Sequence, residues 1–315
     1  MNSKQLRYFL KTADKGSITA AAKALDIAQP AVSQQISSLE HELSVQLFER
    51  DFRGVRLTTS GEKFYLRAKS IVNQMSMAKS EIIDTEANPS GHISIGMTQA
   101  ACNVLAIPLT QAIQKNHPNV ELTLQYGTTH SINQWLSNGQ IDLAITYENT
   151  YSDKNFYSTP LIKEYIYLVV GTEKKSAIYQ ELVKQDKIVF KQLAEFEIIL
   201  PHQDDPIVQM LNRYETQTGV RIWSKPNFGL LMTNLRYVTD GFGLMILPSS
   251  AIFNLEKTKQ LKAIPIINPQ LTREVLLLNN TKKPSSMAMQ VLSKTIVTLV
   301  KEAHSLGDWR GQLLI

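Results

Sequence analysis

One cysteine, Cys102, in a chain of 315 residues excludes a disulfide framework, a switch between paired thiols and any cysteine-rich zinc site. It falls in an apolar helical stretch, where a buried small side chain is expected. No apolar run reaches the ~18 residues that a membrane-crossing helix needs, and Met1-Asn2-Ser3-Lys4-Gln5-Leu6-Arg7 has no apolar leader segment. A soluble cytoplasmic protein with no membrane partner is therefore expected. Charge of one sign is scarce too: 33 Lys and Arg stand against 28 Asp and Glu, for a net +5 and a pI near 9.1. A polyanion is a compatible partner, but with no basic block over residues 1–90 its binding must rest on placed contacts. Catalytic signatures are missing as well. Gly241-Phe242-Gly243 lacks the third glycine of a dinucleotide loop, His41-Glu42 lacks a zincin's second histidine, and neither Gly-x-Ser-x-Gly nor a Walker sequence occurs. His117, His130 and His202 stand apart, so no metal, no cofactor and no enzymatic activity are expected.

What is present is an apolar fraction of 43% in a chain too long for one ordinary core, hence two or three domains. Near the start, Ser17 can cap a short helix from Ile18 to Leu25, and Asp26-Ile27-Ala28 turns the chain into a second helix from Gln29 to about Leu43. This is helix-turn-helix grammar. Val32, Ile36, Leu39 and Leu43 recur at helical steps and face inward, while Gln29, Ser33, Gln34 and Ser37 lie opposite. A short, polar, uncharged face suits base edges: a glutamine amide pairs bidentately with adenine, and serine reaches base or phosphate. Pro30 is tolerated because first-turn N–H groups have no intrahelical partner. Residues 48–57 then read as two short strands around a tip with Gly54, a wing that projects Arg53 toward a narrow A·T-rich minor groove. Two adjoining amphipathic helices also occur in ordinary bundles. The wing and the long helix after it favour the DNA reading.

That helix opens on Thr59-Ser60-Gly61-Glu62, a capping box with Thr59 as N-cap, and runs to about Thr85. Along it Phe64, Ala68, Ile71, Met75, Ala78 and Ile82 keep heptad spacing, which predicts a coiled-coil dimer seam rather than a core helix of the next domain. A two-fold dimer presents two recognition helices to an inverted-repeat operator. After Asn88-Pro89-Ser90-Gly91 strands alternate with helices: Ile93–Met97, Ala101–Asn116, Val120–Gln125, Ser131–Ser137 and Ile141–Thr146. A second set begins at Ile166–Val170, and Glu274–Leu278 with a helix to Ala303 returns to the first. Two linked α/β halves make a cleft of the periplasmic-binding-protein type, with ligands at the carboxyl ends of strands. Polar residues stand there: Thr98-Gln99, Gly127-Thr128-Thr129-His130, Tyr147-Glu148 and Pro201-His202.

The chain resembles the LysR-type transcriptional regulators through Leu6-Arg7-Tyr8-Phe9, Gly16-Ser17-Ile18-Thr19-Ala20-Ala21-Ala22, residues 28–36, Leu39-Glu40, Leu47-Phe48-Glu49-Arg50 and residues 57–62. More loosely the resemblance continues through Pro108, His117-Pro118, residues 139–145, residues 240–244 and Leu247-Pro248. It implies DNA contacts by Gln29, Pro30, Ser33, Gln34 and Arg53, and an inducer cleft lined by Thr98, Gln99, Ala100, Thr128, Thr129, Pro201 and His202. Ala28 departs from the serine frequent at that cap, and Gln34 from a frequent arginine, which bears on base preference. The expected α/β architecture is a winged helix-turn-helix domain (1–58), a dimerising linker helix (59–87), a hinge (88–92) and an effector-binding domain (93–315). Within the last, subdomain I covers about 93–161 and 268–305, and subdomain II about 162–267. The expected partners are double-stranded DNA, a small-molecule effector and further copies of the chain, as a dimer or dimer of dimers, with RNA polymerase compatible. A solute-binding receptor or an enzyme with a helical extension are the alternatives.

Overall fold

The computed structural model describes residues 1–51, 54–83, 89–147, 156–173, 177–225, 227–280 and 286–315. Arg53, Glu148 and Asn88 of the hinge lie outside the described residues, as do the side chains of Ala78 and Ile82.

Helix α1 (Ser3–Lys15) starts at a reciprocal box between Asn2 and Gln5 and stops at Gly16, whose φ of 61° continues no helix. Helix α2 (Ile18–Leu25) is capped by Ser17, which accepts from Ala20 N at 3.3 Å. Helix α3 (Gln29–Leu43) follows, and strands β1 (Phe48–Asp51) and β2 (Gly54–Leu57) pair antiparallel to form the wing. Gly54 is required where it stands: its φ is 134°, and a Cβ there would lie 2.4 Å from the Gly16 carbonyl oxygen. That approach lets Val55 N donate to Gly16 O at 3.0 Å, fastening the wing to the end of α1.

Helix α4 (Thr59–Ile83) begins one residue earlier in its cap than the sequence suggested. Thr58, not Thr59, is the capping side chain, accepting from Gly61 N at 2.9 Å, because its hydroxyl also donates to Gln46 O at 2.8 Å. Phe9 packs between Phe48, tilted to it, and Phe64, edge-on to it, with centroid distances of 5.2 and 5.1 Å, so α1, the wing and α4 share one core. The buried Glu40 accepts from Leu47 N and Phe48 N at 2.8 and 3.1 Å, fixing the turn from α3 into the wing.

The remainder is built on one eleven-stranded system. In chain order come β3 (Gly91–Met97), α5 (Gln99–Asn116), β4 (Val120–Tyr126), α6 (Thr129–Ser137), β5 (Leu143–Tyr147) and β6 (Phe156–Gly171). Next are α7 (Ala177–Lys184), β7 (Ile188–Val189), a 3-10 turn (Phe190–Glu195), β8 (Glu197–Ile199), α8 (Pro206–Thr218), β9 (Trp223–Lys225) and α9 (Leu231–Thr239). The chain closes with β10 (Leu244–Pro248), α10 (Ser249–Lys257), β11 (Leu261–Ile267), β12 (Thr272–Asn280), α11 (Met287–Ser305) and β13 (Gly311–Leu313). Sheet order is β4-β3-β5-β12-β6-β10-β8-β9.

The 16-residue β6 belongs to both halves. Residues 156–165 pair with β12, and residues 166–170 turn to β10 and β11. Two cores result. Ile95, Leu105, Leu143 and Leu292 fill the first lobe, and Leu168, Ile198, Leu244 and Ile264 the second. The boundary expected at about residue 161 therefore falls inside a continuous strand. Among the described residues no helix is long and apolar enough to cross a membrane.

Candidate nucleic-acid interface and effector cleft

The recognition helix is α3. Val32, Ile36 and Leu39 have no exposed surface, whereas Gln29, Pro30, Gln34 and Ser37 are exposed and Ser33 is half-buried. Burying three branched side chains anchors the helix by roughly 1.5–3 kcal/mol each and turns the polar face outward. Ala28 sits at the N-cap without a side-chain hydrogen bond, so Pro30 and the backbone alone start this helix. Of its first-turn groups, Ala31 N and Val32 N donate to Ala28 O at 3.0 and 3.4 Å, and Pro30 has no N–H to place.

The stripe along α4 is divided. Phe64, Ala68 and Ile71, expected in an intermolecular seam, pack into the head's own core under α1, with Ala68 fully buried. Within one chain the head thus covers the start of the stripe. Met75, beyond that core, is exposed.

At the carboxyl ends of the first-lobe strands, Thr98 starts α5 but does not cap it. Its Oγ1 instead shares a 2.8 Å hydrogen bond with the Tyr147 hydroxyl. Gln99 and Ala100 open α5, and Ala100 packs into the second lobe's core, so this helix end is where the lobes meet. Thr128 caps α6, accepting from Ser131 N at 3.2 Å, and is exposed; Thr129 is buried. In the second lobe Pro201 is half-buried and His202 is exposed, its Nδ1 3.1 Å from Asp204.

Beneath them lies a cluster that sequence reasoning missed. Glu164, fully buried, accepts from Arg273 Nε at 2.6 Å, Trp309 Nε1 at 2.7 Å and Ser250 Oγ at 3.1 Å. The Arg273 guanidinium lies 3.6 Å from the centre of the Tyr147 ring. Burial opposes its charge, but Tyr147, Glu164 and Asp205 outweigh that and hold its pKa above the ordinary value. Burial pushes the Tyr147 hydroxyl up to about 12, against the lowering pull of Arg273. The signal in the sequence was faint: charged residues inside apolar strands, at Glu164 in β6 and Arg273 in β12.

A winged helix-turn-helix head on a long helix, joined to two α/β lobes around a polar cleft, is the build of a transcription regulator with a ligand-binding module. Residues 3–62 match the family described as "Bacterial regulatory helix-turn-helix protein, lysR family", and residues 86–300 match "LysR substrate binding domain". The nitrogen assimilation regulatory protein nac of Escherichia coli (strain K12) is 31% identical over 259 residues, 81% of each chain. The HTH-type transcriptional regulator CzcR of Bacillus anthracis is 29% identical over 261 residues, 82% of this chain and 83% of that one. Full-length CbnR complexed with its target DNA superposes with a TM-score of 0.67 at 18% identity, covering 96% of this chain and 100% of that chain. The chain belongs to the LysR family of transcription regulators.

Proposed function

We propose that the protein reads an inverted-repeat operator as a homodimer or dimer of dimers, in the cytoplasm, under control of a small molecule bound between its lobes. It has no catalytic role in this reading, and RNA polymerase is a compatible partner. The single observation that carries the DNA reading is α3, whose polar face is exposed while its opposite face is fully buried. Gln29, Ser33 and Gln34 contact bases, Pro30 sets the helix start against the backbone, and Arg53 enters the minor groove. In the cleft, Thr98, Gln99, Ala100, Thr128 and Thr129 face Pro201 and His202 around the effector. The CbnR complex with DNA supports the first part, and the substrate-binding family of residues 86–300 supports the second. Self-association draws on Met75 and the rest of the α4 stripe, and on exposed Ile107, Tyr126, Trp223 and Leu230 of the effector module.

The test is a titration of operator and random DNA at one salt concentration with Gln34→Ala. Loss of one bidentate base contact costs about 1–3 kcal/mol on the operator and little on random DNA. Equal losses on both would restrict Gln34 to backbone contact.

A further inference from the structure

Residues 308–315 follow α11 and are rooted in the first lobe. Trp309 is buried in that lobe's core, and Leu313 and Ile315 pack against it. Strand β13 lies antiparallel on the crossover part of β6, where Tyr165 N donates to Arg310 O and Leu314 N to Leu161 O, both at 3.0 Å. The approach is close enough to need glycine: a Cβ on Gly311 would lie 2.4 Å from the Lys163 carbonyl oxygen.

The same segment grips α10, a helix that puts Ala251 and Ile252 into the core of the second lobe. Arg310 N donates to Ser249 Oγ at 2.7 Å, the Arg310 guanidinium pairs with Glu256, and Asp308 lies 2.6 Å from Lys257 Nζ. That guanidinium also sits 4.4 Å from the centre of the Tyr167 ring, on the second-lobe part of β6. A segment rooted in one lobe thus holds a helix rooted in the other, across the strand they share. Each half-exposed ion pair is weak alone, but contacts held by one ordered segment reinforce one another, because forming one positions the next. Helix α10 in turn touches the start of α5, where the lobes meet: Asn103 Nδ2 donates to the Ala251 carbonyl at 3.1 Å. Its chain neighbour Cys102 is half-buried.

We propose that residues 308–315 are an interlobe latch, with Arg310 as its positioning residue, which sets how far α10 and the start of α5 part and so how readily the cleft opens. Its consequence for regulation rests on the reading that an effector binds between the lobes: a latch that favours one arrangement biases any ligand that discriminates between them.

Cys102, the only cysteine of the chain, is a built-in probe. Its rate of alkylation by iodoacetamide in the full-length protein, at one pH and ionic strength, reads the opening. Arg310→Glu sets like charges against each other at Glu256 and is expected to react about fivefold faster or more than the parent. Glu256→Gln, which removes the charge without reversing it, moves the rate the same way by a smaller factor. Combining Arg310→Glu with Glu256→Arg restores the pair and is expected to return the rate to within about twofold of the parent. Low urea separates opening from unfolding: the rate in Arg310→Glu should stay nearly flat, since parting the lobes exposes little surface. An unchanged rate in both single variants, a fast rate that persists in the double variant, or a rate that climbs steeply from the lowest urea overturns the proposal. No effector enters the measurement, so its failure removes the latch alone and leaves the regulatory reading standing.

Discussion

A carboxylate with no exposed surface must have its lone pairs occupied, and at Glu164 three donors from β12, α10 and the segment before β13 do so. Glu164→Gln leaves Arg273 without its counter-charge and should cost about 3–5 kcal/mol, seen as a lower urea midpoint at neutral pH. An unchanged midpoint would mean that Tyr147 and solvent compensate Arg273 unaided. Cys102 is half-buried, not fully buried as its apolar surroundings suggested, and burial lifts its thiol to about 11. A thiol whose folded pKa is raised stays protonated until the pH is well above its unfolded value. Alkylation of the native protein should therefore be slow at neutral pH and accelerate toward pH 11, and rapid labelling near neutrality would contradict the burial effect. Thr98 and Thr128 differ in a way that matters for mutagenesis. Thr128→Val also removes the α6 cap, a cost of about 1 kcal/mol in its own right. Thr98→Val caps nothing and is the cleaner probe: the reporter's effector dose should rise by about tenfold with operator affinity unchanged.

Helix α4 changes its surroundings along its length. Its first turns complete the head's core through Phe64, Ala68 and Ile71, and Met75 emerges from it. Ile71→Lys would bury an ammonium against the head's own apolar side chains, so loss of helical signal and DNA binding is expected before any specific change in assembly. Met75→Lys should leave the head folded and weaken self-association, which sedimentation velocity distinguishes. If Met75→Lys sediments as the parent does, the effector modules hold the oligomer. The recognition helix shows the opposite economy: its inner face is fixed by Val32, Ile36 and Leu39, and with no side-chain cap at Ala28 its first turn depends on Pro30. Ala28→Ser should add about 1 kcal/mol to the head's stability in thermal unfolding.

At the scale of the molecule, β6 is the strand continuous through both lobes, and the polar cluster around Glu164 sits on it. Local rules determined much of this from the sequence. The 3.6-residue period at Val32, Ile36 and Leu39 fixed the buried face of α3, and alternating apolar segments announced the lobes, because periodicity and caps act within a few residues of chain. Thr98 and Thr128 stand at helix starts, as the strand-then-helix reading of the sequence placed them. Tertiary structure alone decided the rest. That β6 is one strand in two lobes follows from pairing with residues 74 to 124 positions downstream, which no local period encodes. Arg273 meets Glu164 across 109 positions and Trp309 meets it across 145, so the charge cluster exists only after the chain returns. Likewise Phe64 packs against Phe9 of its own head because α1 lies there, and a heptad spacing is the same whichever surface covers it.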